Sequence, residues 1–311
     1  MKAIQFSEYG PAEVLQLVDI AAPETGPGQV RIDVHAVSVN PVDWKIRAGL
    51  MAKYFALELP AGTGRDGAGI VSEIGDGAEA VQIGDAVSFM MPRGVYCTAE
   101  QIAIPAEFTA LKPGHISMHE AAAYPLAAVT AWAMLEERYA GEIAGRDVLV
   151  HGGAGGVGGM LVQIARHMGA RVAATCSAAN TDYVTSLGAA TTVAYDAQDF
   201  TAELSDMDVV FDTMGGEIHA RSYAVLKKGG HLVCINAAPI EDLSAEQDVT
   251  MQIAEVSDIG GALAAVAGLI GDKVLAPQVN RVFPLAGIAD AHRLVETGHA
   301  RGKIVVTIGN P

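Results

Sequence analysis

Gly153, Ala154, Gly155, Gly156, Val157 and Gly158 set glycines at the spacing G-x-G-x-x-G. That spacing suits one kind of chemistry. Backbone without side chains can turn sharply and approach a pyrophosphate closely. The free N–H groups of a helix that begins there then face the negative charge, aided by the helix dipole. A glycine-rich turn alone says little, so the flanks decide. Asp147, Val148, Leu149 and Val150 read as a buried parallel strand. Val157, Met160, Leu161, Ile164, Ala165 and Met168 recur at helical spacing, with Gly169 placed to end the helix. The segment predicts a site for NAD(P).

Such a loop needs a sheet to hold it. From Ala128 to about Ala254 the pattern alternates strand and helix, with strands expected at Val148 to Val150, Arg171 to Cys176, Thr192 to Tyr195, Val209 to Asp212 and His231 to Asn236. The pieces at 156–168, 181–187 and 217–226 look helical, and Lys227 to Gly230 reads as a turn before the last strand. This is the pattern of a doubly wound parallel sheet, which binds ligands at the carboxyl ends of its strands. Gly153, Ser177, Asp212 and Asn236 are expected to line that edge together.

The first third carries short β-like runs punctuated by glycine and proline, at 30–37, 68–74, 86–89 and 99–104. They predict a small, mostly antiparallel barrel. Pro113-Gly114 closes the run, and helical spacing begins near His119. The tail has helices at 258–270 and 287–297 and a strand from Lys303 to Ile308, too few strands for a separate domain, so it is expected to return to the first one. The predicted division is 1–127 with 255–311, and 128–254.

Composition narrows the function classes. A chain of 311 residues exceeds one usual core. A formal charge of −16 repels phosphate backbones and anionic lipid, which argues against nucleic acid and membrane partners. Cys97, Cys176 and Cys234 are odd in number, far apart and without C-x-x-C spacing, so neither a disulfide framework nor a thiolate metal site is indicated. Met1 to Phe6 lacks the apolar core of a signal peptide, and the uncharged stretch Ile259 to Ile270 is too short for a bilayer, as is 121–135, which also contains Pro125. A soluble, cytoplasmic protein is expected.

Asn40 to Lys45, Gly64 to Gly69, Ala121 to Trp132, the glycine loop and Gly298 to Val305 resemble, in order and at the expected intervals, the zinc-independent quinone oxidoreductases of the medium-chain dehydrogenase/reductase superfamily. The resemblance implies an α/β fold: a GroES-like β-barrel domain completed by the C-terminus, plus a doubly wound Rossmann domain. It also implies a homodimer formed through the Rossmann sheets. Zinc alcohol dehydrogenases of the superfamily hold catalytic zinc with Cys, His and Cys, and the aligned positions here are Asn40, Arg65 and Leu126. None of these is a zinc ligand. Cys97 stands alone in its domain, so the four-cysteine structural site is missing too. His115 and His119 lie four apart but lack a third ligand.

An acid at the end of the second strand would read a ribose 2′-hydroxyl and repel a 2′-phosphate. Ala174 to Asn180 contains none, which favours NADPH over NADH, although only Ser177 and Asn180 offer hydrogen bonds and no Lys or Arg is at hand. Tyr195 either packs near the adenosine, as the resemblance implies, or is a plain edge aromatic. By the same resemblance Thr130 lies beside the nicotinamide and Val157 packs on its far face; the alternative for Thr130 is a hydroxyl bonded back to its own helix. Asn40 and Asp43 are expected in a cofactor-facing loop, and Lys303 either reaches the cofactor or is solvated. With no metal to polarise an oxygen, hydride addition to an already electron-poor carbon needs least help, which points to quinones and α,β-unsaturated carbonyls. Tyr54 resembles an active-site tyrosine and would protonate an enolate, or else simply lines the cleft. Pocket walls are expected from 47–60, 90–96 and 237–257. Two rivals remain: an NADPH-binding protein with little turnover, and a metal-free alcohol or enoyl-thioester reductase.

Overall fold

Val148, Leu149 and Val150 are completely buried, as a strand covered on both faces requires. They belong to β1 (Asp147–Val150), which is followed by α1 (Gly156–His167), β2 (Arg171–Cys176), α2 (Thr181–Leu187), β3 (Thr191–Ala194), β4 (Met207–Asp212), α3 (Gly216–Ser222), β5 (Leu226–Cys234) and β6 (Thr250–Ile253). Each neighbouring pair is parallel, in the order β3-β2-β1-β4-β5-β6. The chain reverses direction of build between β1 and β4. That reversal opens a crevice at the carboxyl ends, directly over the glycine loop.

The computed structural model describes residues 1–54, 56–235 and 239–309, excepting the side chains of Glu137 and Arg138. It divides into one unit of Met1–Leu126, Ile259–Gly271 and Pro277–Pro311 and a second of Ala127–Asp258 and Asp272–Ala276. The return to the first unit thus starts with the helix Ile259–Gly271 rather than at 255. The short excursion 272–276 stays with the second unit, where the Gln163 amide donates to Ala276 O and accepts from Ala276 N, at 3.3 and 2.9 Å.

Two further expectations need correction. Lys227–Gly230 is no separate turn: β5 runs through it, pairing Leu226 with Met207 and then His231 with Val209, so these four residues bulge out of register. A sixth strand, β6, was not expected, because its four residues are half-buried or exposed and lack the apolar run that marks the others.

Among its described residues the first unit carries a seven-stranded sheet built around Gln29–Val39, which pairs antiparallel with Asp66–Ile74, Gln101–Pro105 and the late strand Lys303–Thr307. Val279–Pro284 extends it in parallel beside Lys303–Thr307. Alternate residues Val30, Ile32 and Val34 point into a core shared with Val87, Phe89, Ile104, Ile304 and Val306. Arg47, at the end of the helix Pro41–Arg47, pairs with Glu296 at the end of the helix Ile288–Glu296 and donates through Nε to Gly10 O at 3.1 Å. No described helix is long and apolar enough to cross a membrane.

Candidate active site

Asn40 and Asp43 do not sit in a loop. Asn40 caps the helix Pro41–Arg47, because Pro41 at its first position has its torsion pre-set for helix and gives up no needed N–H. Asp43, in the first turn, accepts the Asn40 N–H through Oδ2 at 2.7 Å. The Asn40 side chain then faces a buried polar cluster. Its amide Nδ2 donates to Asp66 Oδ1 at 2.7 Å and to Ser38 Oγ at 3.2 Å, while its Oδ1 accepts from Lys303 Nζ. Asp66 Oδ1 also accepts the Ser38 hydroxyl at 2.5 Å, and Oδ2 accepts the Leu126 N–H at 2.9 Å. Lys303 is therefore neither solvated nor loose: it is 5% exposed and tied into this cluster.

Charge inside the cluster is finely set. Burial pushes the Asp43 carboxyl up to about 7; the Asn40 N–H opposes this most, the charge of Asp66 adds to it, and Arg65 and Lys303 pull it down. Burial lowers the Lys303 ammonium from its usual range, while Asp66 and Asp43 hold it up. The Cys97 thiol is pushed well up, first by burial and then by the two aspartates, and it donates to Asp66 O at 3.6 Å.

The side chains at the positions aligned with zinc ligands do not fit the metal. The Arg65 guanidinium donates through Nε and Nη2 to Met91 O at 3.3 and 2.9 Å, and the Lys303 ammonium is likewise a donor without a lone pair to give. Leu126 has a hydrocarbon side chain and meets the cluster through its N–H. Among the described residues no group of three or more His, Cys, Asp or Glu could hold a metal ion. His115 lies outside the helix Met118–Ala123, and His119 Nε2 is bonded to Thr307 Oγ1 at 2.9 Å.

In the second unit the glycine loop is fixed by steric necessity. Gly152 has φ +71°, and a Cβ on Gly158 would lie 2.1 Å from Gly152 O, so the loop closes only around bare backbone. The Gly153 N–H donates to Thr175 O and the Gly155 N–H to Gly152 O, each at 2.9 Å. At the start of α1 the N–H groups of Gly156, Val157 and Gly158 precede any intrahelical acceptor. With Ala154 half-buried between Gly153 and Gly155, this backbone fits a dinucleotide pyrophosphate.

A buried polar chain supports the loop from below. His151 bonds Thr175 Oγ1 through Nδ1 and Ser222 Oγ through Nε2, both at 3.1 Å, and Thr213 Oγ1 donates to His151 O at 2.7 Å. Burial lowers the His151 imidazole, so it is neutral at pH 7. Asp212 does not line the open edge. It is completely buried, accepting from Met214 N, Gly215 N and His219 Nδ1. Asn236 lies outside the described residues.

At the end of β2, the Asn180 amide donates to Ser177 Oγ at 2.9 Å, so these two brace each other. Tyr195 follows β3 rather than ending it and is 52% exposed. Beside it, the Asp196 carboxylate accepts the Ala178 N–H at 2.8 Å. Thr130 and Val157 are half-buried in the second unit. In the first unit Tyr54 is 64% exposed, with Lys53 Nζ 4.8 Å from its ring centroid. Sequence reasoning missed Ser38, Asp66, His151 and Asp196 as site residues. Asp66 and His151 had a signal, since Asp66 lies within the Gly64–Gly69 motif and His151 directly precedes the glycine loop, whereas Ser38 and Asp196 had none.

Residues 26–129 match the alcohol dehydrogenase GroES-like domain and residues 187–306 the zinc-binding dehydrogenase domain. The chain is similar to 2-methylene-furan-3-one reductase of Solanum lycopersicum, 34% identical over 98% of this chain and 79% of that one. It is equally similar to the chloroplastic NADPH-dependent alkenal/one oxidoreductase of Arabidopsis thaliana, again 34% identical over 98% and 79%. The quinone oxidoreductase of Coxiella burnetii superimposes with a TM-score of 0.92 at 33% identity, covering 99% of both chains. The chain belongs to the medium-chain dehydrogenase/reductase superfamily.

Proposed function

We propose that this chain is an NADPH-dependent oxidoreductase that reduces quinones or α,β-unsaturated carbonyls. One observation carries the reading: the Gly152–Gly158 backbone is shaped to take a pyrophosphate, in a chain whose aligned zinc positions hold Asn40, Arg65 and Leu126. The names of the relatives support it. When bound, the nicotinamide supplies a hydride to an electron-poor carbon. Gly153 to Gly158 hold the pyrophosphate and Ser177 and Asn180 the adenosine side. By the family resemblance Thr130 and Val157 orient the ring. The Tyr54 hydroxyl gives its proton to the enolate formed from an enone; a reduced quinone takes its protons from water.

Purified protein is expected to consume NADPH, followed by nicotinamide absorbance, with quinones and enones, and not to form NADPH from simple alcohols and NADP⁺. Tight NADPH binding without turnover across a panel that includes crotonyl thioesters would replace this reading with that of a binding protein. We extend the proposal to a homodimer made through the Rossmann sheets, where β6 is the terminal strand. Light scattering giving a monomer at micromolar concentration would refute it. The three buried free thiols support a reducing, cytoplasmic setting.

A further inference from the structure

The adenosine ribose of a bound dinucleotide is read at the carboxyl end of the second strand, where an acid favours a 2′-hydroxyl and opposes a 2′-phosphate. That strand itself supplies no acid, but the fold brings one from elsewhere. β3 lies parallel beside β2, with Cys176 level with Ala194, and the Tyr195 N–H donates to Cys176 O at 2.9 Å. The chain then turns back, Ala197 and Gln198 N–H both bonding Ala194 O, and this turn delivers the Asp196 carboxylate onto the Ala178 N–H at 2.8 Å. Two residues past the end of β2, a negative charge therefore stands where none is legible in that strand. Its field is felt by the Cys176 thiol, raised first by burial and then by Asp196. No lysine or arginine occurs between Arg171 and Arg221, and both of these are engaged elsewhere, Arg171 with Asp147 and Arg221 with Asp199.

We propose that Asp196 is a coenzyme-discriminating residue: its carboxylate, seated on the Ala178 N–H, opposes a 2′-phosphate and admits NADH alongside NADPH. The inference rests on the dinucleotide reading above and sharpens it. Asp196 is exposed, so its replacement does not empty a core. Asp196→Asn keeps an acceptor for Ala178 and removes only the charge, and Asp196→Lys reverses it.

The test is calorimetric titration of wild type and both variants with NADPH, NADH, adenosine 2′,5′-bisphosphate and 5′-AMP, with thermal melts as a folding control. In wild type, NADH is expected to bind within about tenfold of NADPH. Asp196→Asn is expected to tighten NADPH and the bisphosphate about five- to tenfold, and Asp196→Lys further, with NADH and 5′-AMP changing less than about twofold. The gain should shrink as salt rises, because an exposed charge is screened. If wild type binds both coenzymes and neither variant alters their ratio, the role of Asp196 is overturned while the function stands. If wild type binds neither coenzyme, both fall.

Discussion

Lys303 and Asn40, 263 residues apart, meet in a buried hydrogen bond in which the ammonium donates to the side-chain carbonyl. Through Asn40 the cation is joined to Asp66, and Asp66 in turn to Ser38 and Leu126. Where the resemblance aligns zinc ligands, the superfamily scaffold here holds a buried network that ties the Lys303 ammonium, through Asn40, to the Asp66 carboxylate. Such groups contribute little net stability when complete and cost much when broken. Lys303→Met is accordingly expected to lower unfolding free energy by about 3 kcal/mol, since it strips the cation from beside two buried carboxylates. Urea denaturation measures this, and a double-mutant cycle with Asn40→Ala should show coupling; additive losses would mean the pair acts independently.

Asp43 predicts a pH dependence of the opposite sign to that of a surface carboxylate. Its folded value, about 7, lies above the usual carboxylate value of 3.8, so between those limits the folded state holds the proton more tightly than the unfolded chain. The Asp43 contribution to stability is present in full below about pH 4 and is lost as pH rises through 7, by at most about 1.4 kcal/mol per unit. Asp43→Asn, which still accepts from the Asn40 N–H, should erase that slope in denaturation midpoints measured from pH 4 to 8. An unchanged slope would show Asp43 to be ionised in the fold.

His292 works from the other side. Burial first, then the charge of Arg47, lowers its imidazole from 6.5 to about 3. Below pH 6.5 the unfolded chain takes up a proton the folded protein refuses, so stability falls on acidification toward pH 3. Subtracting the curve of His292→Leu from that of wild type should isolate this loss, which a flat difference would deny.

Gly158→Ala places a methyl 2.1 Å from Gly152 O, a backbone atom that cannot swing aside. The loop must move, and coenzyme affinity is expected to fall at least about a hundredfold while the melting temperature drops only a few degrees. Calorimetric titration and a thermal melt separate the two effects.

Tyr54→Phe tests the proposed proton donor. Enone reduction should lose about 10- to 100-fold in kcat, with quinone reduction and NADPH binding almost unchanged. Equal losses with both substrates would make Tyr54 a surface that positions substrate instead of an acid.

The second unit was the more readable in sequence, because its strands are short buried runs of valine and leucine and its loop needs glycine for steric reasons that no neighbour can alter. Thr250–Ile253 escaped since an edge strand needs no apolar face. The Asn40-Pro41 pair looked like a loop, yet proline begins helices as readily as it ends strands. The polar cluster was illegible for a different reason. Ser38, Asp66 and Lys303 sit on three strands whose register fixes their meeting, and no local pattern records pairing across more than two hundred residues. Asp196 was hidden in the same way, by a turn that carries a charge from one strand end to the next.

The strand Lys303–Thr307 lies against Val39 to Ala36, although the ribosome makes it only after the whole of the second unit. A nascent chain can close its parallel sheet from consecutive segments, but the early sheet must wait, its central strand half-paired and its aspartates short of a cation, until the strand Lys303–Thr307 emerges. Synthesis order therefore lets the sheet around Gln29–Val39 mature only after the parallel sheet has had its chance to close.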